Sequence, residues 1–223
     1  MLAKVLSGAL LGIDAYPVEV EVDIAQGLPQ FATVGLPEGA VKESKDRVKS
    51  AIKNSGYEFP TRRITINLAP ADIRKEGAAF DLPMAVGLLT AMGLVPPERA
   101  SRFLLMGELS LDGGVKSVRG ALPVAAAARH WDLDGLILPV ANAEEGALAN
   151  GLPVYAAATL GEVVDFLTGN RVLQPCQVDI AAMIGKLKQE DVDFAEVRGQ
   201  GHVKRALEVA AAGGHNILML CAV

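Results

Sequence analysis

Alternating apolar and polar positions predict the strands of this sequence. Between residues 18 and 24 every second residue is Val or Ile and the residues between them are acidic, a pattern typical of a strand with one buried and one solvated face. Residues 63–68 alternate in the same way until Pro70. Shorter apolar runs, separated by turn residues such as those at 112–114, predict the other strands, over residues 103–111, 115–118, 135–138, 154–158 and 216–220.

Helical spacing begins at Val41, where apolar residues recur on one face and lysines surround them until Gly56. The apolar stretch over residues 82–95 is too short to cross a membrane, so it predicts a buried helix with Asp81 as its N-cap. Asn142 is a candidate cap for another helix, and Thr159 with Glu162 has the spacing of a capping box. The remaining helices are predicted over residues 122–130, 160–167 and 200–212.

The composition is that of an ordinary globular protein, with 51% hydrophobic residues and a net charge of −5 over 223 residues. This balance excludes a surface that is basic all over, although it is compatible with a local basic patch. Cys176 and Cys221 are far apart and neither belongs to a CxxC pair, which predicts a reducing, cytoplasmic environment. The apolar run over residues 1–13 resembles a signal peptide but lacks a clear cleavage site, so export is the less favoured alternative.

Three long strings carry a resemblance to a known family: GLPQFATVGLPEGAVKESKDRVKSAIKNSGYEFP, ITINLAPADIRKEGAAFDLPMAVGLL and VRGQGHVKRALEVAAAGGHNILML. Together they resemble the magnesium-chelatase-like AAA+ ATPase family of ComM/YifB type, and the similarity extends to about residue 220. The resemblance implies an α+β fold like that of the Lon protease catalytic domain (ribosomal S5 domain 2-like) over residues 1–168. It further implies a linker over residues 169–190 and the truncated start of an α/β AAA+ module over residues 191–223.

The family resemblance also implies a role in DNA processing, namely natural transformation and ATP-driven branch migration by hexamers. ATP and magnesium are the cofactors implied for the full-length family, held by a Walker A loop of the form G-x-x-x-x-G-K-[ST]. That motif does not occur in this sequence, which predicts no ATP hydrolysis and no cofactor for this chain. A remnant of the nucleotide site, for which an ordinary helix start is the alternative interpretation, corresponds to Val197, Arg198, Gly199 and Gln200.

The Lon resemblance raises a second hypothesis, a serine–lysine peptidase in which a lysine activates a serine nucleophile. The peptidase's KDGPSAG-type loop corresponds to residues 75–81, and Ala79 stands where the serine belongs. Leu122 stands at the position of the lysine. Both members of the dyad are replaced, so we predict no peptidase activity. No HExxH motif or Cys/His cluster predicts a metal site either.

Basic residues are concentrated between residues 41 and 75, which hold nine Lys or Arg and four Asp or Glu. A basic face of this kind can neutralise phosphates and bind DNA without sequence preference. The alternative is a solvated helix face with charge pairs such as Glu43 with Arg47. The candidate DNA contacts are Lys42, Lys45, Arg47, Lys49 and Lys53.

These observations predict a non-enzymatic accessory domain that contacts DNA, the AAA+ module or other subunits beside an ATP-driven DNA motor, with no membrane partner. The first alternative is that the sequence is the front part of a complete ATP-binding, DNA-remodelling helicase whose motor half lies outside it. A residual Lon-like serine peptidase is the second alternative.

Overall fold

A seven-stranded mixed sheet lies at the centre of the first of two structural units, Met1–Val178 and Asp179–Val223. The computed structural model describes residues 1–179 and 194–220. The strands are β1 (Leu2–Leu11), β2 (Asp14–Ala25), β3 (Gln30–Val34), β4 (Arg63–Ala69), β5 (Phe103–Leu105), β6 (Glu108–Leu109), β7 (Val115–Lys116), β8 (Gly135–Pro139) and β9 (Val154–Ala157). The helices are α1 (Gly39–Asn54), α2 (Asp81–Ala91), α3 (Pro97–Ala100), α4 (Ala121–Ala128), α5 (Val140–Ala147), α6 (Leu160–Thr168) and α7 (Gly201–Gly213).

The strand order in the large sheet is β3-β4-β2-β1-β5-β8-β9. β2 is antiparallel to both β1 and β4, whereas the other four pairings in this sheet are parallel. The fold is therefore a mixed α/β arrangement with a mostly parallel sheet. β6 and β7 form a separate two-stranded hairpin beside it.

Two hydrophobic clusters cover the two faces of the sheet where it carries β5 and β8. Phe103, Leu105 and Ile137 belong to the larger cluster, which also contains the fully buried helix α2 and the apolar faces of α1 and α6. Leu104 and Leu136 alternate with them and belong to the smaller cluster, together with residues of α4 and α5. Because successive side chains of a strand point to opposite faces, these strands are buried on both sides.

The face of β1 and β2 opposite the larger cluster is charged. Lys4 Nζ lies 2.7 Å from Glu19 Oε1 and 2.8 Å from Glu21 Oε1, while the Asn67 amide donates to Glu21. These hydrogen bonds from Lys4 and Asn67 lower the pKa of the Glu21 carboxyl below its ordinary value. The acidic positions that alternate along β2 are therefore the solvated face that the sequence predicts.

Several predicted elements differ from the structure. The strand predicted over residues 103–111 is two strands, β5 and β6, because the chain turns at residues 106–107 to start the hairpin. Asp81 is the first residue of α2 rather than its cap, and Asn142 lies inside α5, where its amide pairs with the backbone of Val118. Residues 1–13, which resemble a signal peptide, form β1 and the turn that leads into β2.

The capping box before α6 is confirmed. Thr159 Oγ1 accepts a hydrogen bond from the Glu162 N–H, and the Glu162 carboxylate accepts one from the N–H of Ala158. Gly169 ends the helix with a φ of 82°, which is the left-handed conformation that glycine adopts at low cost.

The second unit contains a short 3₁₀ turn, Phe194–Glu196, and helix α7. The predicted helix over residues 200–212 is confirmed, with Gly214 in the left-handed conformation at its end. The strand predicted over residues 216–220 is wrong, because these residues form no regular structure and are exposed. Half of the predicted linker, residues 180–190, lies outside the described residues.

Candidate functional site

Helix α1 presents a row of exposed lysines on its outer face. Lys45, Lys49 and Lys53 are spaced four residues apart, and all three side chains are exposed. Since a helix rises 1.5 Å per residue, the row is about 12 Å long. The opposite face of the helix is fully buried in the core through Val41, Val48, Ala51 and Ile52. Lys42 lies in the first turn of the same helix.

Arg47, the other candidate DNA contact, does not belong to this row because its guanidinium is paired with Asp81. Its Nε lies 2.6 Å from Asp81 Oδ2 and its Nη2 lies 3.1 Å from Asp81 Oδ1, a two-pronged pairing with a fully buried carboxylate. The Leu109 N–H donates to the same carboxylate at 3.3 Å. The hydrogen bond to Asp81 raises the pKa of the guanidinium. Arg47 therefore connects α1 to the start of α2, and its contact with Glu43, at 3.9 Å, is longer.

Two more basic residues of the 41–75 segment are occupied by other contacts. Lys75 is completely buried, and its ammonium donates to the carbonyls of Pro70 and Ile73. Burial lowers the pKa of this ammonium. Arg74 forms an ion pair with Glu38 at 3.1 Å. The segment 41–75 consequently presents fewer unpaired positive charges to solvent than its number of basic residues suggests.

A cleft of about 1140 Å³ lies between the end of β1, the loop before α2 and the segment that precedes α4. Its apolar wall includes Leu10, Leu11 and Met106. Its charged residues are Asp72, Arg74, Glu76, Glu108 and Arg119. The loop before α2 is held in place by Lys75, whose backbone N–H donates to Leu36 and whose carbonyl accepts from Glu38.

The two positions that resemble the peptidase dyad lie in different settings. Ala79 lines the cleft, and its carbonyl accepts a hydrogen bond from the N–H of Gly107. Leu122 lies in the first turn of α4, where its N–H donates to Glu145 Oε1. Among the described residues that line the cleft, Ser117 is the one hydroxyl, and no lysine, histidine or cysteine accompanies it. The described lining therefore has neither the lysine of a Ser–Lys dyad nor a histidine that could take its place.

The predicted nucleotide-site remnant forms the turn before α7. Gly199 and Gln200 have φ angles of 70° and 54°, and Gln200 is the N-cap residue. The Lys204 ammonium donates to the Val197 carbonyl across this turn, and Arg198 is exposed. Residues 194–220 contain neither serine nor threonine, so they do not supply the hydroxyl that holds magnesium beside a bound nucleotide.

Neither a metal centre nor a membrane span is found in the described part of the chain. No three His, Cys, Asp or Glu side chains within residues 1–179 and 194–220 are grouped so as to hold a metal ion. In those same ranges, no helix combines the length and the hydropathy that crossing a bilayer requires.

The sequence predicted the lysine row but missed the cleft and the pair formed by Arg47 and Asp81. The cleft is built from four segments that are distant in sequence, so no local pattern reveals it. For the pair, one signal was available: Asp81 begins an otherwise apolar helix, and a buried carboxylate requires a cationic partner.

Comparison with known proteins places these features in a family. Residues 20–142 match the family model described as subunit ChlI of Mg-chelatase, and residues 193–222 match a second model, magnesium chelatase subunit ChlI. The chain is 42% identical over 221 residues to competence protein ComM of Haemophilus influenzae, covering 98% of this chain and 43% of that protein. It is 44% identical over 220 residues to protein YifB of Salmonella typhimurium, covering 98% of this chain and 42% of the relative.

A weaker similarity points to a different group of proteins. Lon protease 2 of Bacillus subtilis is 27% identical over 180 residues, which cover 74% of this chain and 31% of that protein. The chain spans less than half the length of the ComM and YifB proteins that it matches.

Proposed function

The chain belongs to the magnesium-chelatase-like family of ComM/YifB type, and we propose that its residues 1–168 are a non-catalytic, Lon-like accessory domain that contacts DNA. One relative is named competence protein ComM, and on that basis we extend a role in competence to this chain. In the full protein, the domain would precede an ATP-driven motor that begins within residues 191–223. The competence role and the motor are proposals for this chain.

The observation that carries the proposal is the row formed by Lys45, Lys49 and Lys53. The three ammonium groups are spread along about 12 Å of a rigid helix. Duplex DNA carries one charge per ~1.7 Å of its axis, so the same length of DNA presents about seven phosphate charges. Among the described residues, none of the three forms an ion pair, so each is available to a phosphate. Within the described part of α1 and its flanking residues no exposed aromatic ring accompanies the lysines, which favours backbone contacts over base stacking.

The test measures binding of the chain to a fluorescein-labelled duplex by anisotropy, over a range of salt concentrations. Replacing Lys45, Lys49 and Lys53 with Gln should reduce the slope of log K against log salt by about 2 to 3, because each phosphate contact contributes about 0.9. The matched control removes three exposed cations elsewhere, Lys116, Arg129 and Arg205, and changes the net charge equally. Equal loss of affinity in the two variants would reject a localised DNA site.

The alternative that the chain is the front part of a complete DNA-remodelling ATPase is supported by its share of the relatives' length, 42–43%. Reading the gene in frame beyond codon 223 tests this alternative. A glycine-rich loop ending in Lys-Ser or Lys-Thr would identify the motor, and the accessory-domain proposal would then apply to one part of that ATPase. For the chain alone we expect no ATP hydrolysis.

The remaining alternative is a Lon-like serine peptidase, which the weak similarity to Lon protease 2 raises. The replacement of the dyad at Ala79 and Leu122 argues against it. We expect no cleavage of casein by the purified chain. Cleavage that is lost on Ser117→Ala, the one hydroxyl among the described cleft residues, would overturn this expectation.

A further inference from the structure

The strand β1 has an open edge where it borders the cleft. β2 pairs with β1 along its whole length, from Leu2 to Leu11. On the other side, β5 pairs with β1 only at Leu6, opposite Leu104. After that point the chain of β5 diverges to form the hairpin of β6 and β7. Residues 8–11 of β1 therefore have a strand neighbour on one side only.

This open edge lies inside the cleft rather than at the outer rim of the sheet. Residues 8–12 all line the cleft, with Ala79 and Met106 among the apolar residues facing the same space. Because alternate residues of a strand direct their N–H and C=O groups to one edge, this segment presents backbone donors and acceptors to the cleft. Its four residues span about 14 Å, enough for a strand of four or five residues to pair with it.

The charges around the cleft favour a basic ligand. Asp72 and Glu76 form no ion pair with another described residue, and neither does Glu108. Arg74 is already paired with Glu38, which leaves Arg119 as the one unpaired cation among the described lining residues. Burial and the charges of Asp72 and Glu76 also raise the pKa of the nearby Tyr16 hydroxyl, as expected for a negative environment.

We propose that this cleft binds an extended peptide segment, with apolar side chains and a Lys or Arg, by adding it as a strand along residues 8–11 of β1. Backbone hydrogen bonds from the open edge would supply register, the apolar wall would take alternate side chains, and the acidic residues would hold the basic one. Since no lysine or histidine of the described lining accompanies Ser117, the segment would be held without being cleaved. Such a site would let the domain hold a segment of a partner protein, independently of the lysine row on α1.

The probe is a fluorescein-labelled heptapeptide of alternating valine and threonine with a central arginine, and its binding to the chain is measured by anisotropy. A second peptide with the same side chains is N-methylated at every other amide, which removes the N–H donors of one edge. We expect the N-methylated peptide to bind at least about tenfold more weakly. Equal binding of the two peptides would overturn the proposal. No binding of the first peptide at a chain concentration of about 1 mM, which corresponds to a binding free energy weaker than about −4 kcal/mol, would also overturn it.

Variants of the chain locate the site. Ser117 is exposed at the cleft, so Ser117→Trp should fill the cleft and weaken binding at least about tenfold, whereas Ser101→Trp, an exposed serine outside the lining, should not. The double variant Asp72→Asn, Glu76→Gln should bind the arginine peptide about two- to fivefold more weakly. Its affinity for a peptide with norleucine in place of the arginine should be unchanged. Equal binding by both tryptophan variants would contradict the site.

Two further outcomes distinguish other occupants. If a second copy of the chain fills the cleft, sedimentation velocity will show a dimer that Ser117→Trp dissociates and the peptide does not, which would overturn the peptide proposal. Replacing the three lysines of α1 with Gln should leave peptide binding unchanged. Loss of peptide binding in that variant would mean that the peptide follows the basic row instead of the cleft.

Discussion

Removing the guanidinium of Arg47 is expected to destabilise the first unit strongly, because it leaves a buried charge without a partner. The Asp81 side chain has no exposed surface, and it accepts both prongs of Arg47 at 2.6 and 3.1 Å. Arg47→Met retains most of the aliphatic stem, so the change isolates the charged group. The variant keeps the N–H of Leu109 as the remaining donor to the carboxylate.

The magnitude follows from the burial of the two partners. Breaking a buried ion pair by removing one partner costs about 3–5 kcal/mol. The Arg47 side chain is 22% exposed, so water reaches part of the site and the lower end, about 3 kcal/mol, is expected. Asp81→Asn keeps an oxygen that accepts from Leu109 and removes the charge, and it should cost about 2 kcal/mol.

A double-mutant cycle gives the sign of the interaction. Once Arg47 is Met, Asp81→Asn neutralises the unpaired charge, so the double variant should be at least as stable as Arg47→Met alone. The coupling energy is then about 2 kcal/mol. The assay is urea unfolding followed by the fluorescence of Trp131, the one tryptophan in the sequence. With a slope of about 2 kcal/mol/M, a loss of ~3 kcal/mol lowers the midpoint by roughly 1.5 M.

The matched control is the surface pair of Arg102 and Asp134, whose distance of 2.7 Å is similar but whose side chains are 42% and 48% exposed. Arg102→Met with Asp134→Asn should show little coupling, because solvent screens exposed pairs. If Asp81→Asn destabilises the Arg47→Met chain as much as it destabilises the unsubstituted chain, within about 0.5 kcal/mol, the reasoning about a buried charge is refuted.

Two other predictions concern packing and pH. Gly87→Ala should cost about 1–3 kcal/mol of unfolding free energy, since its Cβ would lie 2.7 Å from Val22 Cγ2. Gly161→Ala, whose nearest neighbour would be 3.9 Å away, should be neutral or stabilising by up to ~1 kcal/mol in the same urea assay. Burial lowers the pKa of Lys75 in the folded chain below 10.5. Between the folded and unfolded pKa values, the unfolded chain therefore binds more protons than the folded chain, so Lys75 makes the free energy of unfolding rise with pH towards 10.5. Lys75→Met should therefore gain less stability than the unsubstituted chain as the pH rises towards 10.5; an equal gain would contradict this prediction.

The elements with one buried face were predictable from the sequence. In β2, β4 and α1 the burial pattern repeats the hydropathy pattern, because one side packs on the core and the other meets water. Helix α2 was predictable for the opposite reason, since its residues are all buried and apolar residues predominate after Asp81. The length of this apolar stretch, and the glycine and prolines that follow it, favour a helix over a strand.

The strand β1 was not predictable because parts of both its faces are covered. Ala3 and Val5 pack on the larger cluster, while at the other face a Cβ on Gly8 would lie 2.4 Å from Val124 of α4. A strand that is covered on both sides shows no alternation. Asn142 failed as a cap for a related reason: its amide is used 24 residues away, by the N–H and C=O of Val118 at 2.9 Å each. A local pattern does not contain a partner that only the tertiary fold supplies.

The candidate DNA site was only partly predictable from the sequence, because tertiary contacts decide which basic residues are exposed. Counting charges over residues 41–75 gives more Lys and Arg than Asp and Glu, but the count treats every basic residue as equally available to a ligand. Arg47 pairs with Asp81, Arg74 pairs with Glu38 and the Lys75 ammonium is buried against backbone carbonyls, so each of these three cationic groups already has a partner within the protein. Lys45, Lys49 and Lys53 form an exposed row because their spacing of four residues keeps them on the side of α1 away from the core. Arg62 and Arg63 are exposed as well, but they lie beyond the helix and outside this row. Helical spacing, rather than net charge, is therefore the feature of the sequence that identifies the lysine row.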